Sequence, residues 1–130
     1  MAGQGHIAGA VAVGSALGSV ARYGVSVGLA GFSGFPWDTL VVNVVGAFLI
    51  GLYATLAAPS GRFPAGAAQY QFMVTGFCGG FTTFSIFSLE TIALVQGGAY
   101  ALAVSNLALS AVLWLAAVWA GFALASRLNR

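Results

Sequence analysis

Charge is what this chain has least of. Of its 130 residues only 5% are Asp, Glu, Lys or Arg, where a soluble domain carries about a quarter. Lysine is absent; the cations are Arg22, Arg62, Arg127 and Arg130, and the acids are Asp38 and Glu90. So sparse a set cannot cover a water-facing surface, and with 60% of residues hydrophobic the folded chain must face lipid. Four scattered arginines also lack the clustered basic footprint of a nucleic-acid binder, so no nucleic-acid partner is expected. The single cysteine, Cys78, excludes an internal disulfide and reads as a small buried apolar residue. Catalytic groups are equally scarce. His6 lies in the N-terminal tail, Glu90 has no evident partner, and no acid–base pair, nucleophile–base couple or metal-ligand cluster can be assembled. No Walker-type phosphate loop occurs, and the chain is not expected to be an enzyme.

What is present in quantity is apolar runs and glycine. About 20 apolar residues cross a bilayer, and four runs have that length, at about 7–29, 39–58, 70–95 and 99–125. They are separated by Gly31-Phe32-Ser33-Gly34-Phe35-Pro36, by Pro59-Ser60-Gly61 and by Gly97-Gly98. Trp37, Tyr70 and Tyr100 fall near run ends, where interfacial aromatics belong. The N-terminus has no basic region typical of a signal peptide, so the first helix is expected to be retained. The fold class expected is an all-α membrane protein, residues 1–130 forming one domain of four transmembrane helices. The 19 glycines suit membrane helices that pack backbone to backbone, and Gly14/Gly18 and Gly24/Gly28 have small-xxx-small spacing. Four spans place both termini on one side with the 59–69 loop and with Arg62, Arg127 and Arg130, which the positive-inside rule assigns to the cytoplasm.

The third run departs from the others. Its middle reads Thr75-Gly76-Phe77-Cys78-Gly79-Gly80-Phe81-Thr82-Thr83, adjacent glycines followed by β-branched residues, which is poor helix material. The pattern predicts a helix break at mid-membrane, around Gly79-Gly80. Freed carbonyls there must be buried in protein or hold an ion; a plain packing notch fits the spacing equally well. Polar residues recur at helical spacing: Thr39 with Asn43, Asn106 with Ser110, and Phe84, Phe87, Ser88 and Thr91 as one stripe. Uncharged donors beside phenyl edges suit a small anion, which they attract without trapping it. They suit water, a polar solute or interhelical hydrogen bonding as well.

The segment Gly79-Gly80-Phe81-Thr82-Thr83-Phe84-Ser85-Ile86-Phe87-Ser88-Leu89-Glu90 resembles the signature of the CrcB/Fluc family of bacterial fluoride channels. Arg22-Tyr23, Asn43-Val44-Val45-Gly46 with Gly51, and a fourth span bearing Ser110 fit in order, so the resemblance covers essentially the whole chain. It implies passive export of cytoplasmic fluoride across the bacterial inner membrane by an antiparallel, dual-topology homodimer with two pores. It further implies a structural sodium ion held by the backbone carbonyls of Gly79 and Thr82. Phe84 and Phe87 would line the pores with Asn43 and Ser110, Thr39 and Ser85 would extend the polar path, and Arg22 would stand at the entrance. Asn106 stands where many relatives have Tyr, and Trp114 where they usually have a small residue. Two other readings compete. A small multidrug or guanidinium exporter needs a carboxylate in the first span, which has none; a membrane scaffold would use the glycine faces for assembly alone.

Overall fold

The computed structural model describes residues 2–130, with side chains from Gly3 onward; Met1, the first residue of the expected domain, lies outside the described residues. Helix is the only regular structure among the described residues. The first span is α1 (Ala2–Leu29) and the second α2 (Trp37–Leu56). The third is composite, running from α3 (Ala67–Gln71) through a π-helical stretch (Phe72–Cys78) into α4 (Gly79–Phe81), and resuming as α5 (Phe84–Gln96). The fourth is α6 (Tyr100–Leu128). All four spans are long and apolar enough to cross a membrane, the third taken as 67–96.

Local chemistry fixes the span ends. Asp38 sits in the first turn of α2, where a carboxylate offsets the positive end of the helix dipole. Gly98, with φ 75°, makes the turn between α5 and α6 that other residues resist. The fourth span reaches Leu128 and not the expected 125 because the 57–66 loop receives it. Arg62 donates through its guanidinium to the Leu128 carbonyl (2.9 Å) and through its backbone to Asn129 Oδ1 (2.8 Å). A cation on the last carbonyls satisfies orphan acceptors and suits the dipole.

The helices associate as two pairs. α2 packs along α6, and α1 packs along the first half of the third span, residues 67–81. Glycine brings the backbones together. A Cβ at Gly51 would run into Val118 and one at Gly121 into Phe48; Gly14 and Gly18 meet the backbone around Phe72 and Phe77, and Gly80 meets Ser15. In lipid such backbone approach replaces the hydrophobic effect as the source of helix association. Of the two small-xxx-small pairs, Gly14/Gly18 is used in this way, while Gly24 and Gly28 face open space.

The helix break lies at Thr82–Thr83 and not at Gly79-Gly80. Thr82 (φ −85°, ψ 161°) and Thr83 (φ −152°, ψ 122°) are extended, whereas both glycines are helical. Gly80 serves close packing against Ser15, and the two β-branched residues take the extended conformation that suits them. Replacing Gly80 with Ala should therefore destabilise the protein by about 1–3 kcal/mol through overpacking against Ser15. Gly9, with nothing within 4 Å, should accept Ala without loss. Thermal unfolding of the two purified variants checks the contrast, and equal melting behaviour would refute the packing role.

Candidate functional site

The break is clasped from α2. Asn43, 6% exposed, donates from Nδ2 to the Thr83 carbonyl (2.8 Å) and accepts the Thr83 N–H at Oδ1 (2.7 Å). One amide side chain thus satisfies both backbone groups of the residue that leaves the helix. Thr83 in turn starts α5, its Oγ1 accepting the Ile86 N–H (3.2 Å) and lying 3.4 Å from Ser85 Oγ. Thr82 closes the preceding helix by donating from both its N–H (2.9 Å) and its hydroxyl (2.8 Å) to the Cys78 carbonyl. These diversions free two oxygens. The Thr83 N–H would otherwise reach the Gly79 carbonyl, and the Ile86 N–H the Thr82 carbonyl; among the described residues neither oxygen accepts a hydrogen bond.

A polar track runs from the clasp through the inside of the fold. Thr39, one turn before Asn43, donates to Glu90 Oε1 (3.0 Å). Glu90 therefore does have a partner, contrary to the sequence expectation. Further along, Asn106 donates to Thr91 Oγ1 (2.9 Å), and Ser110 Oγ lies 3.4 Å from Asn106 Oδ1. Asn106 and Ser110 are each 1% exposed. Ser88 does not join the track, because its hydroxyl returns to the Phe84 carbonyl (2.9 Å).

The two phenylalanines of the stripe differ sharply. Phe87 is 6% exposed and Phe84 70%, with ring centroids 5.5 Å apart. Trp114 meets both edge-on, at 4.9 Å from Phe87 and 6.5 Å from Phe84. Phe84 also shares an open polar groove with Ser15, Ser19, Arg22, Gly79 and Ser85. The expected site residues thus fall into two sets. Thr39, Asn43, Phe87 and Ser110 lie buried within the fold, while Arg22, Gly79, Thr82, Phe84 and Ser85 border the open face. Sequence reasoning missed Thr83 as the hub; the sign was a Thr directly before a helical run, the position of an N-cap. Arg22 faces Ser19, Tyr23 and Ser26, and Ser26 donates to Asp38 (2.8 Å). Uncharged donors, phenyl edges and one nearby arginine form a lining that can coordinate a small anion without holding it fast.

The family model described as "CrcB-like protein, Camphor Resistance (CrcB)" matches residues 9–122. A relative from Rhodopseudomonas palustris, named fluoride-specific ion channel FluC 1, is 52% identical over 92% of this chain and 86% of its own length. One from Bradyrhizobium diazoefficiens with the same name is 49% identical over 92% and 84%. A fluoride-specific ion channel FluC from Opitutus terrae is 52% identical over 92% of both chains.

Removing the clasp should be expensive. Asn43→Ala leaves the Thr83 N–H and carbonyl without partners, and each buried orphan costs about 1–3 kcal/mol. Unfolding of the purified variant should show that loss, while a melting profile like the wild type's would mean the break stands without Asn43.

Proposed function

This chain belongs to the CrcB-like family, and from that membership we propose that it is a fluoride-specific ion channel. One observation carries the reading: about half of the residues match fluoride-specific channels over 92% of the chain, a stretch that includes all of the buried polar track. The protein is a multi-pass membrane protein of bacterial type, and a channel has no chemical step to catalyse. The physiological logic is a proton trap. HF crosses lipid as a neutral molecule, ionises in a less acidic cytoplasm and leaves fluoride behind. A passive anion path lets that fluoride flow out down its electrochemical gradient, without ATP or a coupled ion.

The path follows the side chains already described. Arg22 raises the local anion concentration near the open groove, where Phe84 and Ser85 stand. Fluoride then exchanges water for the edges of Phe84 and Phe87 and for the second amide hydrogen of Asn43, which the clasp leaves free. Thr39 and Ser110 extend the path in the two directions along the track. None of these donors is cationic, so release stays fast.

The working unit is an antiparallel homodimer. Phe84 is exposed and the polar groove is open in one subunit, and a second copy supplies the missing wall. The opposed arrangement sets one of its two subunits against the positive-inside rule, and what it gains is a division of the arginines between the two faces. Arg62, Arg127 and Arg130 lie at the end of the terminal residues, whereas Asp38 and Arg22 lie toward the other end. Parallel pairing would gather six arginines on one face (two copies of three), while antiparallel pairing divides them. The free carbonyls of Gly79 and Thr82 fit a structural sodium ion, a hard cation that takes neutral oxygen donors, and two subunits would offer four. When bound, the ion ties the subunits together and leaves a positive potential near the path.

Phe84 gives the cleanest test of the path, because within one chain it is largely exposed and supports no buried core. Phe84→Ile should leave dimer and melting temperature nearly unchanged yet slow fluoride efflux from liposomes at least about tenfold, the loss of one charge-assisted contact. Wild-type efflux would remove Phe84 from the path. Replacing sodium with a bulky organic cation should weaken dimerisation by mass action, as read by subunit-exchange fluorescence; no change would remove the ion from the proposal.

A further inference from the structure

Three of the four cations gather at one end of the molecule, where no Asp or Glu side chain offsets them. Arg62 lies in the loop after α2, and Arg127 and Arg130 lie at the end of α6. Asp38 sits in the first turn of α2, at its opposite end, and Glu90 accepts from Thr39 one residue further along that helix. None of the three arginines borders the polar groove or the track, so the ion path does not use them.

Helix geometry sets their depth and direction. α6 has 29 residues, about 43 Å of helix, against about 30 Å of hydrocarbon, so its last turn stands among lipid headgroups. Ala117, Gly121 and Ala125 are buried, and Gly121 meets Phe48 of α2, which marks the inward face. Arg127 follows Ala125 by two positions and is turned by about 200° from that face, toward lipid. Exposed Leu124 stands one turn before it, and the arginine stem can lie along such apolar surface while its head reaches the phosphate layer.

Arg62 is brought to the same place by hydrogen bonds. Its guanidinium donates to the Leu128 carbonyl (2.9 Å), its backbone N–H donates to Asn129 Oδ1 (2.8 Å), and Asn129 Nδ2 donates to the Thr55 carbonyl (3.2 Å). One of five guanidinium N–H groups is thereby used, and four remain on a positioned fork. The same group lies 5.8 Å from the ring centroid of Phe63, which is itself exposed. The negative end of the α6 dipole, roughly half an elementary charge, would turn an anion away. Three guanidinium charges outweigh it, and Arg62 stands directly on the carbonyls that carry it.

We propose that this arginine rim binds the phosphodiester headgroup of an anionic phospholipid, with Phe63 entering the boundary between headgroup and acyl chain. Forked N–H donors match phosphate oxygens. Exposed Phe63 and Leu124 beside them are covered by a diacyl lipid and not by a soluble phosphate. The inference needs only the membrane assignment and holds whatever ion the path carries.

Native mass spectrometry of the purified protein tests it, with dioleoyl phosphatidylglycerol or dioleoyl phosphatidylcholine titrated in. Wild type should bind the anionic lipid at least about tenfold more tightly, a preference that shrinks as ammonium acetate is raised. Arg127→Gln combined with Arg130→Gln changes two exposed side chains and should weaken phosphatidylglycerol binding about 25-fold, about fivefold for each arginine. Adding Arg62→Gln should weaken it about fivefold further, with circular dichroism checking that the helices persist. Equal affinity for the two lipids, or a double variant that binds phosphatidylglycerol like wild type, would overturn the inference. So would glycerol phosphate that displaces the lipid at equal concentration, which would make the rim a site for soluble phosphate.

Discussion

The two hydrogen bonds between Asn43 and Thr83 are the constraint on which the remaining geometry depends. A helix can be interrupted inside lipid only if the backbone groups it releases find partners in the protein. Asn43 supplies both partners for one residue from a neighbouring helix. That single anchoring sets where the third span stops, where α5 starts and which way Phe84 and Phe87 point. It also decides which carbonyls remain free. Gly79 and Thr82 lose their helical donors because those donors are claimed by Asn43 and by the Thr83 hydroxyl. Polar side chains in the apolar interior therefore do two things at once. They hold the break, and they leave the Gly79 and Thr82 carbonyls without donors among the described residues.

Packing explains how so thin a polar frame stays rigid. The α2–α6 pair and the pairing of α1 with residues 67–81 both rely on glycines at which a side chain would strike the opposite backbone. Such contacts leave little room for the helices to slide, so α2 and α6, which carry Asn43, Asn106 and Ser110, keep their spacing. The remaining polar groups face outward along α1 and the break, on the side that a second subunit would cover. Phe84 stands exposed on that side, where the proposed second subunit would supply a wall.

Much of this was legible in the chain itself. Apolar runs bounded by Gly and Pro gave the four spans to within a few residues, and the Gly79–Glu90 segment gave the family. The position of the break was misplaced by three residues, because glycine signals both weak helix and tight packing, and only the neighbour decides between them. Here the neighbour is Ser15, sixty-five residues away from Gly80 along the chain. Thr39 and Glu90 could not be paired for the same reason: their bond joins α2 to α5, and no periodicity within one helix encodes a contact between two. Asn106, standing where many relatives have Tyr, donates to Thr91 and accepts from Ser110, and so links α5 to α6. Long-range partners, and not local propensity, were what the residue pattern lacked.

The account stands on passive, selective movement of fluoride, and a flux measurement on the wild-type protein addresses that most directly. Purified protein is reconstituted into liposomes loaded with potassium fluoride or potassium chloride, and release is followed with ion-selective electrodes after valinomycin clamps the potential. The expected result is prompt fluoride release, negligible chloride release, and no dependence on imposed sodium or proton gradients. Vesicles that keep their fluoride, or release that follows a sodium or proton gradient, would contradict the account.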